Sequence, residues 1–213
     1  VMGVELPGTT GDMAVASQSI VNMFCIALFG LLVVMALAMG AGKDYWALLK
    51  NRNQVNNVSG TLGNGVLLMN VGVYGLFILA YYNLIGAPFN GVTFGLIFCM
   101  LCTCNSGSRP TNVWPIMLGY VVASAVTGWL SPMLGGSFSL AVNAQAIVIG
   151  LCYANGLSPI CDKYGWHFGF LASMIHYCLV TLVPGLHGGF CLYNGGFTAI
   201  FVCIILVPVL EKF

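Results

Sequence analysis

Long apolar runs separated by short polar stretches make up most of this sequence. A helix rises about 1.5 Å per residue, so about 20 apolar residues cross a hydrocarbon core of about 30 Å. Runs of 16 to 24 residues, close to this length or above it, cover residues 20–39, 62–85, 113–130, 140–157 and 168–183. The pattern therefore predicts five helices that cross a membrane.

Two further apolar runs, 92–104 and 197–210, contain only 13 and 14 residues, which is about 20 Å of helix. Each follows an aromatic-Asn-Gly motif, Phe89-Asn90-Gly91 in the first case and Tyr193-Asn194-Gly195 in the second, 104 positions later. Helices this short leave the rest of a membrane crossing to extended backbone. Such backbone is tolerated at membrane depth only where protein or a cavity covers it. We therefore expect an all-α polytopic membrane protein with two half-membrane helices and an internal repeat, whose related elements are about 62–104 and 168–210.

The composition favours the same class. Charged residues are 5% of the 213 and hydrophobic residues are 59%, whereas about a quarter of the residues in a soluble domain are charged. So few charges cannot solvate a soluble surface, so the lipid bilayer is the first expected partner, and residues 1–213 are expected to form a single membrane domain. The net charge of +1 and the lack of a basic run in the sequence argue against a nucleic-acid partner.

The positions of the charges predict an orientation. If the five long runs and the two short runs, each completed by the backbone before it, make seven alternating crossings, Glu5 and Asp12 lie on one side. The cations on the other side are Lys43, Lys50, Arg52, Arg109, Lys163 and Lys212. Lys and Arg concentrate on the cytoplasmic side, so we expect a multi-pass protein of a bacterial cytoplasmic membrane with segment 41–58, a short interfacial helix or a solvated loop, in the cytoplasm. The first crossing then begins outside without a signal peptide, so we expect a preceding half of the same, longer protein.

The two Asn-Gly motifs form the candidate site. A helix that begins inside the membrane presents unpaired N–H groups and the positive end of its dipole, and glycine lets a solute approach the backbone. Amide, hydroxyl and imidazole groups there offer donors and acceptors. The predicted solute-binding residues are Phe89, Asn90, Gly91, Thr93, His187, Tyr193, Asn194, Gly195, Gly196 and Thr198. The alternative is that the two asparagines only cap their helices.

The polar residues of the predicted spans are compatible with more than one driving force for solute transport. No Asp or Glu lies in the predicted spans, so the carboxylate proton relay of many transporters is not expected. Movement is then passive, or it is coupled through His176, His187 or a cation held by backbone carbonyls. His176 is also suited to a hydrogen bond between helices. Arg109 either neutralises an anion at the inner mouth or anchors a helix at the membrane edge.

No sequence pattern indicates an enzyme. The chain has no recognisable Ser/His/Asp or Cys/His arrangement, P-loop or dinucleotide fingerprint, so we predict no catalytic residue and no cofactor. Cys99, Cys102 and Cys104 form the only cysteine cluster in the sequence. No further ligand is close to them, so we expect these side chains to pack in the interior rather than to bind a metal.

Three stretches, Gly86–Gly95, Gly156–Gly169 and Gly185–Ala199, resemble an uncharacterised bacterial family of multi-spanning membrane proteins with duplicated halves. Members of that family are longer, so the resemblance implies that this chain corresponds to their carboxyl-terminal portion. The paired motifs are more distantly similar to those of urea transporters, whose two related halves surround a central pore. This chain lacks a counterpart to the acidic residue near the urea site, so the resemblance implies a pore and not urea itself.

We therefore predict a membrane channel or facilitative transporter for a small polar solute, with a homo-oligomer as a further expected arrangement. The alternative is a non-transporting membrane subunit, either a solute-capturing or a scaffold component of a larger complex. A redox subunit is the third interpretation, since Val58-Ser59-Gly60-Thr61 resembles the flavin-attachment sequence of membrane flavoprotein subunits, although the preceding acid is missing.

Overall fold

The computed structural model describes residues 18–133, 139–183 and 194–212. These residues contain no β-strand, so the prediction of an all-α fold is confirmed. The helices are α1 (Gln18–Ala38), α2 (Gly42–Lys50), α3 (Val58–Leu62), α4 (Asn64–Leu84), α5 (Gly91–Leu101), α6 (Pro110–Met133), α7 (Gln145–Ala154), α8 (Ser158–Tyr164), α9 (Trp166–Leu182) and α10 (Asn194–Leu210). Short 3₁₀ helices follow α5, at Cys102–Ser106, and α7, at Asn155–Leu157.

Three of these helices, α1, α4 and α6, are long and apolar enough to cross a membrane. They contain 21, 21 and 24 residues, which corresponds to about 32 to 36 Å of helix. They coincide with the predicted crossings at 20–39, 62–85 and 113–130. The α6 helix begins earlier than expected because Pro110 occupies its first position, where the missing N–H leaves no hydrogen bond unmade.

The helical segments that begin with α5 and α10 are longer than the predicted half-membrane segments, once the 3₁₀ helix that follows α5 is included. The α5 helix has 11 residues and the 3₁₀ helix after it has five, so the helical rise from Gly91 to Ser106 is about 26 Å. The α10 helix has 17 residues, or about 25 Å. The sequence pattern underestimates both because glycine and polar residues at their ends are helical, although these helices remain shorter than α1, α4 and α6.

The predicted crossing at 140–157 departs most from the observed structure. Residues 140–144 are not helical, and α7 contains only ten residues, or about 15 Å of helix. The 3₁₀ turn Asn155–Leu157 then joins α7 directly to α8. Six residues of α7 are buried, and the helix packs against α5, α9 and α10. Neighbouring helices therefore cover much of this short segment.

Glycine lets the long helices pack closely in two pairs, α1 with α4 and α6 with α9. A β-carbon at Gly72 in α4 would lie 2.8 Å from the backbone carbonyl oxygen of Phe29 in α1. A β-carbon at Gly119 in α6 would lie 2.8 Å from the carbonyl oxygen of Phe170 in α9 and would overlap the Ser173 hydroxyl. Such small residues are typical of membrane helix interfaces, where close contact drives association.

The variant Gly119→Ala is expected to lower the free energy of unfolding by about 1–3 kcal/mol, because the added methyl group must displace the Phe170 backbone. Gly95→Ala in α5 is the matched control, since nothing lies within 4 Å of a β-carbon there. Alanine forms helix better than glycine, so the control should be neutral or slightly stabilised. Thermal unfolding in detergent measures both variants, and equal midpoints would contradict the close contact at Gly119.

Two other glycines each join a short helix to a long one. Gly63 lies between α3 and α4 with φ 94° and ψ 160°, and Gly165 lies between α8 and α9 with φ 102° and ψ 159°. A backbone of this kind is accessible almost only to glycine. The chain therefore makes the same turn twice, at positions that are 102 residues apart.

Candidate functional site

Asn90 begins α5 and also connects it to α7. Its side-chain oxygen accepts a hydrogen bond from the backbone N–H of Thr93 at 3.0 Å, which is the geometry of a helix N-cap. Its side-chain nitrogen donates to Oε1 of Gln145 at 2.6 Å, and Nε2 of Gln145 lies 3.4 Å from the Thr93 hydroxyl oxygen. The first motif and the first residue of α7 therefore form a small hydrogen-bonded ring.

His176 of α9 contacts the beginning of α10. Its Nε2 lies 2.9 Å from the carbonyl oxygen of Gly195 and 3.0 Å from Oγ1 of Thr198, and its Nδ1 lies 2.5 Å from the Tyr120 hydroxyl oxygen in α6. A carbonyl oxygen can only accept a hydrogen bond, so Nε2 carries a proton, and in the neutral imidazole Nδ1 then accepts from the Tyr120 hydroxyl. His176 therefore joins α6, α9 and α10.

A third buried cluster surrounds Asn155, directly after α7. Its Oδ1 accepts a hydrogen bond from the Tyr74 hydroxyl of α4 at 2.9 Å. Its Nδ2 donates to the carbonyl oxygen of Met100 at 3.1 Å and to the hydroxyl oxygen of Thr103. Tyr74 and Asn155 are fully buried. This amide therefore connects the end of α7 to α4 and to the end of α5.

The predicted site residues within the described part of the chain fall into two groups. Buried Thr93 and half-buried Asn90 belong to the first, with half-buried Phe89 and exposed Gly91 beside them. Buried Gly195 and Thr198 belong to the second, with half-buried Gly196 beside them. His187 and Tyr193 lie outside the described residues, and of Asn194 only the backbone is described, as the first residue of α10.

Both groups contact α7, but at different levels. Gln145, the first residue of α7, bonds to Asn90. Gly195 packs against Tyr153, whose Cβ would lie 2.7 Å from a β-carbon at position 195. Gln145 and Tyr153 are eight positions apart in α7, which is about 12 Å along a helix. The short α7 helix is therefore the element that the two motifs share.

Sequence reasoning did not assign most of the partners in these clusters. The signal that could have identified them is a polar side chain within an apolar run. Four of these partners fit that description: Tyr74, Tyr120, Gln145 and Asn155. His176 does have the interhelical hydrogen-bonding role that was one of its predicted alternatives. The missing information was which distant residue each polar group meets, and an apolar pattern does not contain it.

Arg109, just before α6, is buried at the end of the helices where the polar segments meet. Its guanidinium is 1% exposed and forms a two-pronged ion pair with Asp162 of α8, at 2.8 and 3.1 Å. It also donates to the carbonyl oxygens of Gly107 and Asn51. Burial raises the pKa of the Asp162 carboxyl, while a hydrogen bond from Asn112 and the charge of Arg109 oppose that rise. Arg109 therefore joins three segments of the chain through buried contacts. The two predicted roles, at an inner mouth or at a membrane edge, stay predictions.

The cysteine cluster does not assemble a metal site in the part of the chain that the structure describes. Cys104 is buried, as expected, but Cys99 and Cys102 are exposed, so the expectation that all three side chains pack in the interior is wrong for these two. Over the same residues, no group of three or more His, Cys, Asp or Glu side chains is placed to hold a metal ion. The buried polar clusters described above therefore remain the candidate functional groups between the packed helices.

Comparison with known proteins identifies a family. No curated protein and no solved structure matches this chain significantly. One family model matches residues 41–212, which is most of the chain and includes both Asn-Gly motifs and all three hydrogen-bonded clusters. The expectation of an uncharacterised family is confirmed to that extent. The chain therefore belongs to DUF1576, a family of proteins of unknown function.

Proposed function

We propose that this protein is a membrane channel or facilitative transporter for a small, uncharged polar solute. The observation that carries the proposal is a set of buried polar side chains within uncharged helices. Tyr74, Tyr120 and His176 are fully buried, and α1, α4, α5, α6, α7, α9 and α10 contain no Lys, Arg, Asp or Glu. Polar groups inside a membrane are costly and tend to serve a pathway or helix packing.

The level at which α10 begins supports this proposal. His176 lies ten residues after the start of α9, about 15 Å along that helix, and there it bonds to Gly195 in the first turn of α10. The α10 helix therefore begins within the length of α9 rather than at its end. Helices that begin or break inside the membrane are typical of transporter substrate sites, and the ten-residue α7 is a second helix of this kind.

An internal duplication would explain the paired features, and we include it in the proposal. Gly63 and Gly165 have the same backbone conformation, 102 positions apart, and the Asn-Gly motifs are 104 positions apart. The packed pairs α1–α4 and α6–α9 also occupy corresponding places in the order of the helices. The repeat units would then be α1–α5 and α6–α10, which contain the predicted elements 62–104 and 168–210.

The grouping of cations supports the predicted orientation. Four of the six, Lys50, Arg52, Arg109 and Lys163, line a single cleft. Lys163 also binds Glu211, the neighbour of Lys212. Because Lys and Arg concentrate on the cytoplasmic side, we propose that this end of the helices, including segment 41–58, faces the cytoplasm.

Solute flux into proteoliposomes tests the proposed function. Vesicles that contain the purified protein should take up at least one uncharged solute from a panel of ureas and small amides faster than empty vesicles, and ammonium and small anions should not follow. A facilitative pathway gives a rate that does not depend on a proton or sodium gradient, and the seven apolar helices named above contain no carboxylate that could couple transport. A gradient-dependent rate would instead indicate coupling through a histidine or through a cation held by backbone carbonyls. Flux equal to that of empty vesicles for every solute would overturn the proposal.

A pair of variants makes this experiment specific to the site. Thr198→Val removes a buried hydroxyl at the beginning of α10, and a lost hydrogen bond of about 1 kcal/mol corresponds to roughly fivefold slower flux. Gly95→Ala in α5 is the control, because a β-carbon there meets open space. Equal flux through both variants would place the pathway away from α10.

A non-transporting membrane subunit is the second candidate function, and one observation favours it. The Asn90 amide uses its oxygen to cap α5 and its nitrogen to bind Gln145. Both polar atoms of this amide therefore already have a protein partner, which is the arrangement that a purely structural cap requires. A folded protein that gives no flux for any solute would favour this second candidate.

A further inference from the structure

A cleft of about 730 Å³ lies at the end of the helices where the polar segments meet. The end of α2, the beginning of α6 and the turn between α8 and α9 form its walls. We call it the basic cleft because of its charged lining. That lining contains Lys50, Arg52, Arg109, Lys163, His167 and a single carboxylate, Asp162.

Two cations of the basic cleft have no counter-ion in the described part of the chain. Asp162 pairs with Arg109, and Glu211 pairs with Lys163. Lys50 and Arg52 are exposed, and neither forms an ion pair with a described carboxylate. Their positive charge is therefore available to an anion, and a cleft lined by one sign of charge concentrates ions of the opposite sign.

A buried donor of the cleft also lacks a partner. The Nη atoms of Arg109 are bonded to Asp162, Gly107 and Asn51. Its Nε has no hydrogen-bond partner among the described residues, although it is buried. Leaving a buried donor of a charged group unpaired is costly. An anionic oxygen in the cleft removes that cost only if the side chains that cover Nε move aside, because Nε is closed to the cleft in this structure.

Two indole rings place the cleft near the level of lipid headgroups. Trp114 of α6 and Trp166 of α9 line it and stack on each other with ring centroids 5.7 Å apart. They are 37% and 55% exposed. Tryptophan is enriched at the membrane–water interface, and both rings lie near the first residues of their helices. A ligand in this cleft is therefore within reach of the headgroup layer.

We propose that the basic cleft binds the phosphate group of an anionic phospholipid headgroup. Lys50 and Arg52 supply the charge and donate hydrogen bonds to the phosphate oxygens. The two indoles border the lipid side of the site. Basic pockets at the ends of membrane helices bind phosphate-bearing headgroups through the same chemistry. This site is separate from the clusters around Asn90, His176 and Asn155, so it does not depend on the proposed permeation function.

Native mass spectrometry of the full chain, purified in detergent and titrated with phosphatidylglycerol, tests this site. Phosphatidylcholine, which carries no net charge, is the comparison lipid. The double variant Lys50→Ala/Arg52→Ala should bind phosphatidylglycerol at least about fivefold less than the unchanged protein, since two charge contacts are lost. Lys43→Ala/Lys212→Ala is the matched control, because it removes the same charge from exposed positions outside the cleft.

Three results would overturn the proposal. Equal loss of lipid in both double variants would show that only the net charge matters. Equal binding of the two lipids would show that the headgroup charge is not recognised. Displacement of phosphatidylglycerol by inorganic phosphate would assign the cleft to a soluble anion. Thermal unfolding without added lipid verifies that both double variants are folded.

Discussion

Replacing Arg109 with alanine is expected to lower the free energy of unfolding by about 3–5 kcal/mol, the range for breaking a buried ion pair. The guanidinium is 1% exposed and contacts both carboxylate oxygens of Asp162. Its removal leaves that carboxylate buried without its cation, and the carbonyl groups of Gly107 and Asn51 lose a donor. Unfolding of the purified protein in detergent, by heat or denaturant, measures the loss.

An exposed ion pair nearby provides the control. Lys163→Ala removes a cation that pairs with Glu211 at the surface, where ion pairs contribute little, so the unfolding midpoint should hardly move. The double variant Arg109→Met/Asp162→Leu removes both buried charges and should recover much of the stability, because apolar side chains can replace a buried pair. A single variant as stable as the unchanged protein would show that the pair does not hold these segments together.

The variant His176→Leu is expected to lower the free energy of unfolding by about 2–4 kcal/mol, because two buried hydrogen bonds between helices are lost. The Tyr120 hydroxyl loses its imidazole partner, and the Gly195 carbonyl oxygen loses the imidazole donor while it keeps the Thr198 hydroxyl. The start of α10 is then held less firmly against α9. Thermal unfolding measures the loss of stability, and the proteoliposome assay should show slower solute flux in parallel.

His167 supplies a matched control on the same helix. His167→Leu makes the same chemical change at an exposed position and should leave stability nearly unchanged. The double variant His176→Leu/Tyr120→Phe should cost less than the sum of the two single variants, since the two side chains share one hydrogen bond. Strict additivity of the two substitutions would contradict that coupling.

Much of the helical framework could be predicted from the sequence. The apolar runs at 20–39 and 62–85 begin and end within two residues of α1 and α4. A membrane span needs about 20 uncharged residues, and a run of that length is directly visible in the sequence. The N-cap role of Asn90 was also available from the sequence, as an asparagine before a glycine and an apolar run. These features depend on local chemistry alone.

The rest depends on contacts between distant residues. The sequence places residues 140–144 in an apolar run that was predicted to be helical. In the structure, Asn143 donates to the Gly86 carbonyl oxygen, and α7 begins only at Gln145. Tyr74 meets Asn155 across 81 positions, a pairing that no periodicity encodes. The same limit applies to His176, whose two ring nitrogens contact different helices. Buried polar partners become visible only when the packing is known.

The ion pair between Arg109 and Asp162 also bears on how the chain is made. The two residues are 53 positions apart, so at about 5–20 residues per second a ribosome adds the aspartate roughly 3 to 10 seconds after the arginine. In the proposed membrane orientation, the guanidinium would have no carboxylate to bind during that interval and would stay hydrated at the bilayer surface. A solitary arginine there resists translocation, so during synthesis it would hold α6 in its orientation until α8 arrives.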